Sequence, residues 1–187
     1  MKKGFFDYLS LGIATCGVGY IPVAPGTWGS AVGVLIYLLI IQLDKLLWQF
    51  GGSNNWNFGE LNAWRIAINI IICLLISAIG IWAGSRASKI LNEKDPQKVV
   101  IDEVAGQLIT LAFLPYDPSW QMIVVGFILF RFFDIAKPYP IYRLQVLEGG
   151  LGVMIDDIVA GIYAAIVMFF LLLTLFHSFQ IAAPCLY

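Results

Sequence analysis

The sequence is poor in charge and contains few of the residues that build zinc sites or disulfide frameworks. Only 12% of its 187 residues are charged, whereas 60% are hydrophobic, and its mean hydropathy is +0.84. One water-soluble core cannot bury so much apolar surface, so the composition argues against a soluble domain and indicates a membrane protein. The formal net charge of -1 carries little information, because in a membrane protein the placement of charges matters more than their sum. Nucleic acid is not expected as a partner.

Cysteine and histidine are too scarce and too scattered to form a metal centre. Cys16, Cys73 and Cys185 show no C-x-x-C spacing, and the single histidine, His177, lies beyond the last apolar run. We therefore expect neither a zinc site nor a disulfide framework, and we interpret the thiols as packed or lipid-facing.

The apolar segments predict an all-α, polytopic membrane bundle with about five transmembrane helices, in a single domain over residues 1–187. Residues 66–83 and 158–176 are each close to the ~20 residues that a helix needs to cross a bilayer. Three weaker segments are residues 31–50, 99–114 and 120–134. The last two should form a helical hairpin, because prolines stop the helices between them.

The N-terminal segment, residues 5–20, differs from the five apolar segments. It follows a basic start but is interrupted by Asp7 and Ser10 and has no convincing cleavage site, so we expect mature sequence rather than a signal peptide. It is either a sixth crossing or an amphipathic or re-entrant segment, and the orientation given by the basic residues makes it non-spanning.

The basic residues predict the orientation of the bundle. If residues 31–50 run outward and the other four segments alternate, nine of the 11 basic residues face the cytoplasm and only Lys45 and Arg65 face outward. This bias is typical of membrane proteins, whose cytoplasmic loops are enriched in lysine and arginine. Residues 51–62 then form a periplasmic loop. The nine cytoplasmic residues are Lys2, Lys3, Arg86, Lys89, Lys94, Lys98, Arg131, Lys137 and Arg143.

Five carboxylates fall at the predicted cytoplasmic ends of the helices, within or beside apolar sequence. They are Asp102, Glu103, Asp134, Asp156 and Asp157. An unpaired carboxylate inside a membrane costs at least ~2.5 kcal/mol on insertion scales, so such residues are expected to be paired or metal-bound. A hard divalent cation would neutralise the excess negative charge, and an all-oxygen ligand set favours Mg²⁺ or Mn²⁺ over zinc.

Two of these acids begin a repeated pattern, D-x-V-A-G. It covers residues 102–106 and 157–161, 55 residues apart, and each copy is expected to open an apolar helix. The small alanine and glycine would let the two helices approach closely and bring their acidic ends together. The alternative is structural, because acids stabilise helix N-termini and small residues are common in membrane packing.

Arg131, Asp134 and Lys137 follow one another at i, i+3 spacing before Pro138. They therefore share a helix face. We interpret Asp134 as a metal ligand and the two cations as phosphate-binding groups. The alternative is a stripe of long side chains that extend to the interface and a simple helix ion pair.

A glycine- and proline-rich stretch, residues 17–30, precedes the first long apolar segment. Its backbone N–H groups, with the hydroxyls of Thr27 and Ser30, could bind an anion at the helix N-terminus. No Gly-Lys-Ser/Thr follows, so it is not a P-loop. The alternative is a plain turn into the helix, capped by Thr27 or Ser30.

Four blocks, taken together and in order, resemble the phosphatidylglycerophosphatase A family. They are P-x-x-P-G-T-x-G-S from Pro22, D-E-x-x-G from Asp102, F-R-x-x-D-x-x-K-P-x-P from Phe130, and G-G-x-G-V-M-x-D-D-x-x-A-G from Gly149. The resemblance runs from about residue 7 to about residue 170, and residues 42–65 and 177–187 do not contribute. It implies Mg²⁺-dependent removal of the terminal phosphate from phosphatidylglycerophosphate at the bacterial inner membrane, yielding phosphatidylglycerol.

The resulting hypothesis is metal-assisted hydrolysis of a lipid phosphate on the cytoplasmic face. The five carboxylates would hold one or two Mg²⁺ ions, with one acid acting as general base. Arg131, Lys137, Thr27 and Ser30 would bind the phosphate. A phosphoenzyme formed on an aspartate or on Thr27 is the alternative to attack by water. The chain lacks the D-x-D-x-[TV] pattern of haloacid-dehalogenase phosphatases and the Arg/His blocks of type 2 lipid phosphatases.

Two rival functions remain open at this point. The first is a phosphatase for another lipid phosphate, such as an isoprenyl phosphate. The second is a small cation carrier, whose intramembrane acids would bind the transported ion. The sequence does not determine the number of metal ions or the oligomeric state.

Overall fold

The chain is all-helical throughout the part that the computed structural model describes, residues 4–94, 96–144 and 149–182, and no strand occurs there. The all-α prediction is therefore confirmed. A 3₁₀ turn, Val18–Tyr20, follows the first helix. The helices are α1 Phe5–Thr15, α2 Pro25–Ser53, α3 Phe58–Leu91, α4 Ile101–Leu111, α5 Trp120–Ala136, α6 Ile141–Leu144 and α7 Gly149–Ala182.

Three of the described helices are long and apolar enough to cross a membrane. They are α2, α3 and the part of α7 from Gly149 to Thr174, with 29, 34 and 26 residues. The expected count of about five crossings is not confirmed. At 1.5 Å per residue, the 11 residues of α4 and the 17 of α5 span only about 16 Å and 26 Å, against ~30 Å of hydrocarbon.

The short helix α4 lies at the centre of the bundle. Nine of its 11 residues are buried. Its neighbours α2 and α7 run parallel to it, since Gly26 lies against Glu103, Gly33 against Gln107 and Gly161 against Gly106. The helices α3 and α5 run antiparallel to it: Asn69 donates to the Ala112 carbonyl while Gly80 faces Ile101, and Gly126 faces Leu111 while Phe130 faces Gly106.

These directions give the bundle two distinct ends. The starts of α2, α4 and α7 and the ends of α3 and α5 meet at one end, which we call the carboxylate end. The opposite end, which we call the aromatic end, carries stacked rings: Trp48 lies 4.4 Å from Tyr116, and Trp56 lies 6.2 Å from Trp64, between ring centroids. Tryptophan and tyrosine are enriched where membrane proteins meet the bilayer interface.

The first helix packs beside α3 at the carboxylate end. Arg86 of α3 donates to Asp7 of α1 at 2.6 Å. Phe5, Phe6 and Tyr8 are exposed. With 11 residues, α1 spans about 16 Å and is too short to cross a bilayer.

Candidate active site

Three carboxylates from two helices converge at the carboxylate end. Asp102 and Glu103 lie in the first turn of α4 and Asp157 lies on α7, and one oxygen from each lies within 4.8 Å of the others. Ligands of one Mg²⁺, at ~2.1 Å each, lie at most ~4.2 Å apart. A small closing movement would therefore bring all three onto one ion. We call Asp102, Glu103 and Asp157 the acidic trio.

Contact between two glycines explains how the trio forms. A Cβ on Gly106 would lie 2.5 Å from the Asp157 carbonyl oxygen, and one on Gly161 would lie 3.0 Å from the Gly106 Cα. The Thr110 hydroxyl lies 2.9 Å from the Gly106 carbonyl oxygen and 3.3 Å from that of Gly161. The two D-x-V-A-G repeats therefore lie side by side in matching register, as the sequence predicted, and this register places Asp102 beside Asp157.

The prediction that both repeats open a helix was wrong for the second copy. The helix α7 begins at Gly149, so Asp156 and Asp157 lie about two turns inside it. The helix dipole acts only within the first turn, so it cannot explain a buried Asp157, which is 3% exposed. Stabilisation of a helix N-terminus by acids can therefore account only for the first copy, where Asp102 and Glu103 do lie in the first turn of α4.

The other two predicted acids form ion pairs next to the trio. Arg131 Nη1 lies 2.5 Å from Asp134 Oδ2 on the same helix, and Lys137 Nζ donates to Asp156 Oδ2 at 2.5 Å across to α7. Asp134 is also close enough to Glu103 and Asp157 to interact with both electrostatically. All five predicted carboxylates thus lie in one region, but only three of them group as ligands of a single ion.

Lys137 is held at the point where α5 ends. Its backbone is in the left-handed region, with φ 40°, which stops the helix. Burial lowers the pKa of the Lys137 ammonium, but the hydrogen bond and charge of Asp156, with the further charges of Asp157 and Asp134, outweigh it and raise the pKa above its ordinary value. Lys137 therefore stays protonated at neutral pH and retains a positive charge for an anionic ligand.

The start of α2 completes the site and differs from the predicted loop. The helix begins at Pro25, a residue well suited to the first helical position. Thr27 and Ser30 therefore lie within the helix, where the buried Ser30 hydroxyl donates to the Gly26 carbonyl at 2.9 Å. Neither residue caps the helix, because the N-cap position is Ala24. Thr27 is exposed.

Gly26 is a site residue that the sequence analysis did not identify. A Cβ at this position would lie 3.0 Å from Arg131 Nη1 and would overlap the Glu103 carboxylate. The first turn of α2 can approach the trio only because residue 26 has no side chain. The available signal was the spacing of Gly26, Gly29 and Gly33, which places small residues on one helix face.

Comparison with known proteins assigns this arrangement to a family. The sequence profile of the family described as Phosphatidylglycerophosphatase A matches residues 13–172. The chain belongs to the phosphatidylglycerophosphatase A family. The matched range contains the acidic trio, both ion pairs and the start of α2. It leaves out most of α1 and the end of α7. Members of this family are phosphatases, so the chain is an enzyme of the phosphoric monoester hydrolase class.

Curated relatives support the assignment over most of the chain. The chain is 37% identical over 154 residues to "Phosphatidylglycerophosphatase A" of Haemophilus influenzae, covering 82% of each protein. It is 33% identical over 156 residues to the Escherichia coli K12 protein of the same name, covering 83% of this chain and 78% of the relative. It is 32% identical over 172 residues to a "Putative phosphatidylinositol-3-phosphatase" of Bacteroides thetaiotaomicron, covering 90% and 95%. No solved structure matches the chain.

The chemistry available to this phosphatidylglycerophosphatase A family member follows from its donor set. The trio offers hard, negatively charged oxygens, which suit a divalent cation such as Mg²⁺ or Mn²⁺. Glu103 Oε2 is buried without a hydrogen-bond partner among the described residues, as expected of a ligand atom that is satisfied only when a cation is bound. Arg131 and Lys137 add positive charge beside the trio. The site therefore contains the groups needed to bind a cation and a phosphate together.

Proposed function

We propose that the chain hydrolyses the terminal phosphate of phosphatidylglycerophosphate, using Mg²⁺ held by the acidic trio. The observation that carries the proposal is the convergence of Asp102, Glu103 and Asp157 within 4.8 Å in a member of a phosphatase family. Hydrolysis of phosphate monoesters is among the slowest uncatalysed reactions, so the enzyme must stabilise the charge of the transition state strongly.

The residues of the trio fit the cation through charge and burial. Three carboxylates near the hydrocarbon edge would repel one another without a counterion. Asp102, Glu103 and Asp157 would hold Mg²⁺, which would take its remaining ligands from waters and the substrate phosphate. When bound, Mg²⁺ supplies polarisation of the phosphate and a lowered pKa of a coordinated water.

The two cations are proposed to bind the non-bridging phosphate oxygens. Arg131 and Lys137 each lie within 2.5 Å of a carboxylate oxygen, on Asp134 and Asp156. An arriving phosphate would compete for these cations and release the two carboxylates. Asp134 or Asp156 would then be available to take a proton from the attacking water. Thr27, exposed in the first turn of α2, is a further proposed phosphate contact, whereas the bonded Ser30 hydroxyl supports Ser30 less well.

We place the carboxylate end at the cytoplasmic face of the bacterial inner membrane. Among the described residues this end carries Arg86, Lys89, Arg131 and Lys137, whereas Lys45 and Arg65 lie toward the aromatic end. The enrichment of lysine and arginine in cytoplasmic loops supports this orientation. The trio is recessed, because α3 continues 11 residues, about 16 Å, beyond Gly80, which packs near Ile101 at the start of α4. A lipid head group would reach it while the acyl chains stay in the bilayer.

Phosphate release by the purified protein tests both the activity and the substrate. The substrates to compare are phosphatidylglycerophosphate, phosphatidylinositol 3-phosphate and an isoprenyl phosphate, each with Mg²⁺ and with EDTA. We expect release chiefly from phosphatidylglycerophosphate, abolished by EDTA and restored by Mg²⁺. The inositol lipid is included because a relative that is 32% identical is named for it.

Two variants separate the proposed site from general effects. Asp157→Asn should lower the rate at least ~100-fold, since even outer partners of metal ligands are worth 10–100-fold. Glu93→Gln alters an exposed acid at the same end and should leave the rate unchanged. Full activity of Asp157→Asn would refute the site. Proteoliposomes that move Mg²⁺ without releasing phosphate would favour the carrier.

A further inference from the structure

Gln107 is a buried amide that the described part of the fold leaves without a hydrogen-bond partner. Its side chain is 0% exposed, and neither Nε2 nor Oε1 has a hydrogen-bond partner among the residues that the structure describes. Asn69, also an amide on a helix facing the interior, is 3% exposed; its Oδ1 likewise has no hydrogen-bond partner among the described residues, but its Nδ2 donates to the Ala112 carbonyl at 3.2 Å. Because an unpaired buried amide is destabilising, the contrast points to a partner that is bound rather than built in.

The position of Gln107 places this amide next to the acidic trio. Gln107 follows Glu103 by four residues on α4, so the two side chains share a helix face. Helix side chains lean toward the N-terminus, which directs the Gln107 amide toward the level of Glu103.

The glycines of α2 line this shared face. A Cβ on Gly33 would lie 2.9 Å from Gln107 Cβ, and one on Gly29 would lie 3.3 Å from Glu103 Cβ. The stem of Gln107 therefore packs against α2, on the helix face that Gln107 shares with Glu103. Glu103 Oε2 is also buried and has no hydrogen-bond partner in the described ranges.

We propose that Gln107 is a positioning residue of the cation site. When a cation draws the acidic trio together, the Gln107 amide N–H would donate to the Glu103 carboxylate and the amide oxygen would accept from a water of that cation. Mg²⁺ usually retains several waters in proteins, and such waters require acceptors. The inference rests on the proposed function, because it requires a cation at the acidic trio.

Replacing Gln107 with methionine separates this role from structural packing. Methionine is unbranched and fits irregular space of about the same length. If Gln107 supports only the fold, replacing it lowers the stability of the protein with or without a cation. If its hydrogen bonds form only when a cation binds, replacing it does not lower the stability of the cation-free protein, because the apolar side chain removes an unsatisfied amide.

The experiment uses the full chain in detergent and measures thermal unfolding in EDTA and Mn²⁺ affinity by electron paramagnetic resonance. For Gln107→Met we expect a melting temperature in EDTA equal to or above that of the wild type, and a Mn²⁺ dissociation constant raised 10–100-fold. The matched control is Asn69→Leu, which should melt lower in EDTA and bind Mn²⁺ as the wild type does.

The outcomes distinguish this inference from the proposed function. Unchanged Mn²⁺ affinity in Gln107→Met, or a lower melting temperature in EDTA, overturns the role of Gln107 and leaves the cation site intact. Absence of Mn²⁺ binding by the wild-type protein overturns the cation site itself, and Gln107 with it.

Discussion

At the aromatic end of α4, buried polar side chains donate to the last carbonyls of the helix, whereas at the carboxylate end acidic side chains accumulate. Arg65 donates to the Leu114 carbonyl at 2.7 Å, and Asn69 donates to the Ala112 carbonyl at 3.2 Å. These bonds satisfy carbonyls where a half-length helix stops inside a bundle. Asp44 and Arg65 are each 4% exposed and attract one another electrostatically.

The candidate site at the carboxylate end groups five acids with two cations. Arg131 and Lys137 pair with Asp134 and Asp156, so the acids of the site outnumber its cations by three. The comparison teaches that the two ends have different tasks. Hydrogen-bonded groups at the aromatic end stabilise the end of α4, whereas the excess of acids at the carboxylate end favours the binding of a cation. Substitutions at the two ends should therefore have opposite effects on stability and on activity.

The largest effect on stability is expected at the aromatic end. Arg65→Met removes the donor to the Leu114 carbonyl and the positive charge that acts on the buried Asp44, and should destabilise the protein by about 3 kcal/mol, because both groups are then left buried without compensation. Thermal unfolding in detergent measures the loss. Adding Asp44→Asn should recover part of it. A melting temperature equal to that of the wild type would show that Arg65 does not anchor α4.

At the carboxylate end the same kind of substitution should have the reverse outcome. Asp102→Asn removes one of three adjacent charges, so cation-free protein should be at least as stable as the wild type, while the rate falls at least ~100-fold. Melting in EDTA and in Mg²⁺, together with phosphate release, measures both effects. A marked loss of stability in EDTA would place Asp102 with the structural groups instead.

Contact between the two D-x-V-A-G repeats should affect both the stability of the protein and its binding of a cation. Gly106→Ala forces a Cβ against Phe130 and the Asp157 carbonyl, which should cost about 1–3 kcal/mol as overpacking and move Asp157 away from Asp102. We expect a lower melting temperature and weaker Mn²⁺ binding. The control is Gly12→Ala in α1, where a Cβ meets nothing within 4 Å and a small gain in stability is expected. Equal behaviour of the two variants would contradict the packing argument.

Much of the carboxylate end could be predicted because its signals are short sequence patterns. The two D-x-V-A-G repeats predicted that Asp102 and Asp157 would meet, and a group of acids without histidine or cysteine beside them predicted oxygen ligands. The helix boundaries were harder to predict from the sequence than the meeting of these acids. The glycine-rich start of α7 is a weak helix former, yet it is helical because Gly150 packs against α3 and its N–H donates to Ser85 Oγ at 2.9 Å.

The early end of α4 could not be predicted from the sequence either. The apolar run continues to Leu114, although the helix ends at Leu111. What stabilises the early end is donation from Arg65 and Asn69, 49 and 43 residues away in the chain. A contact at that separation leaves no periodic signal. The pairing of Arg131 and Lys137 with different acids likewise depends on how α5 meets α7, which spacing along α5 cannot reveal.

The smallest effect is expected at the ion pair between Lys137 and Asp156, which belongs neither to the anchoring groups of the aromatic end nor to the acidic trio. The Lys137 side chain is 26% exposed, so water partly screens the pair and its loss should cost about 1 kcal/mol of stability, but losing the proposed charged contact to phosphate should raise KM about tenfold, or about 1.4 kcal/mol. Lys137→Met tests this through melting temperature and steady-state kinetics. Lys137→Arg, which keeps the charge, should recover part of KM. If instead the melting temperature falls sharply while KM is unchanged, Lys137 belongs with Arg65 as an anchor of the fold, and the carboxylate end is less specialised than its charge suggests.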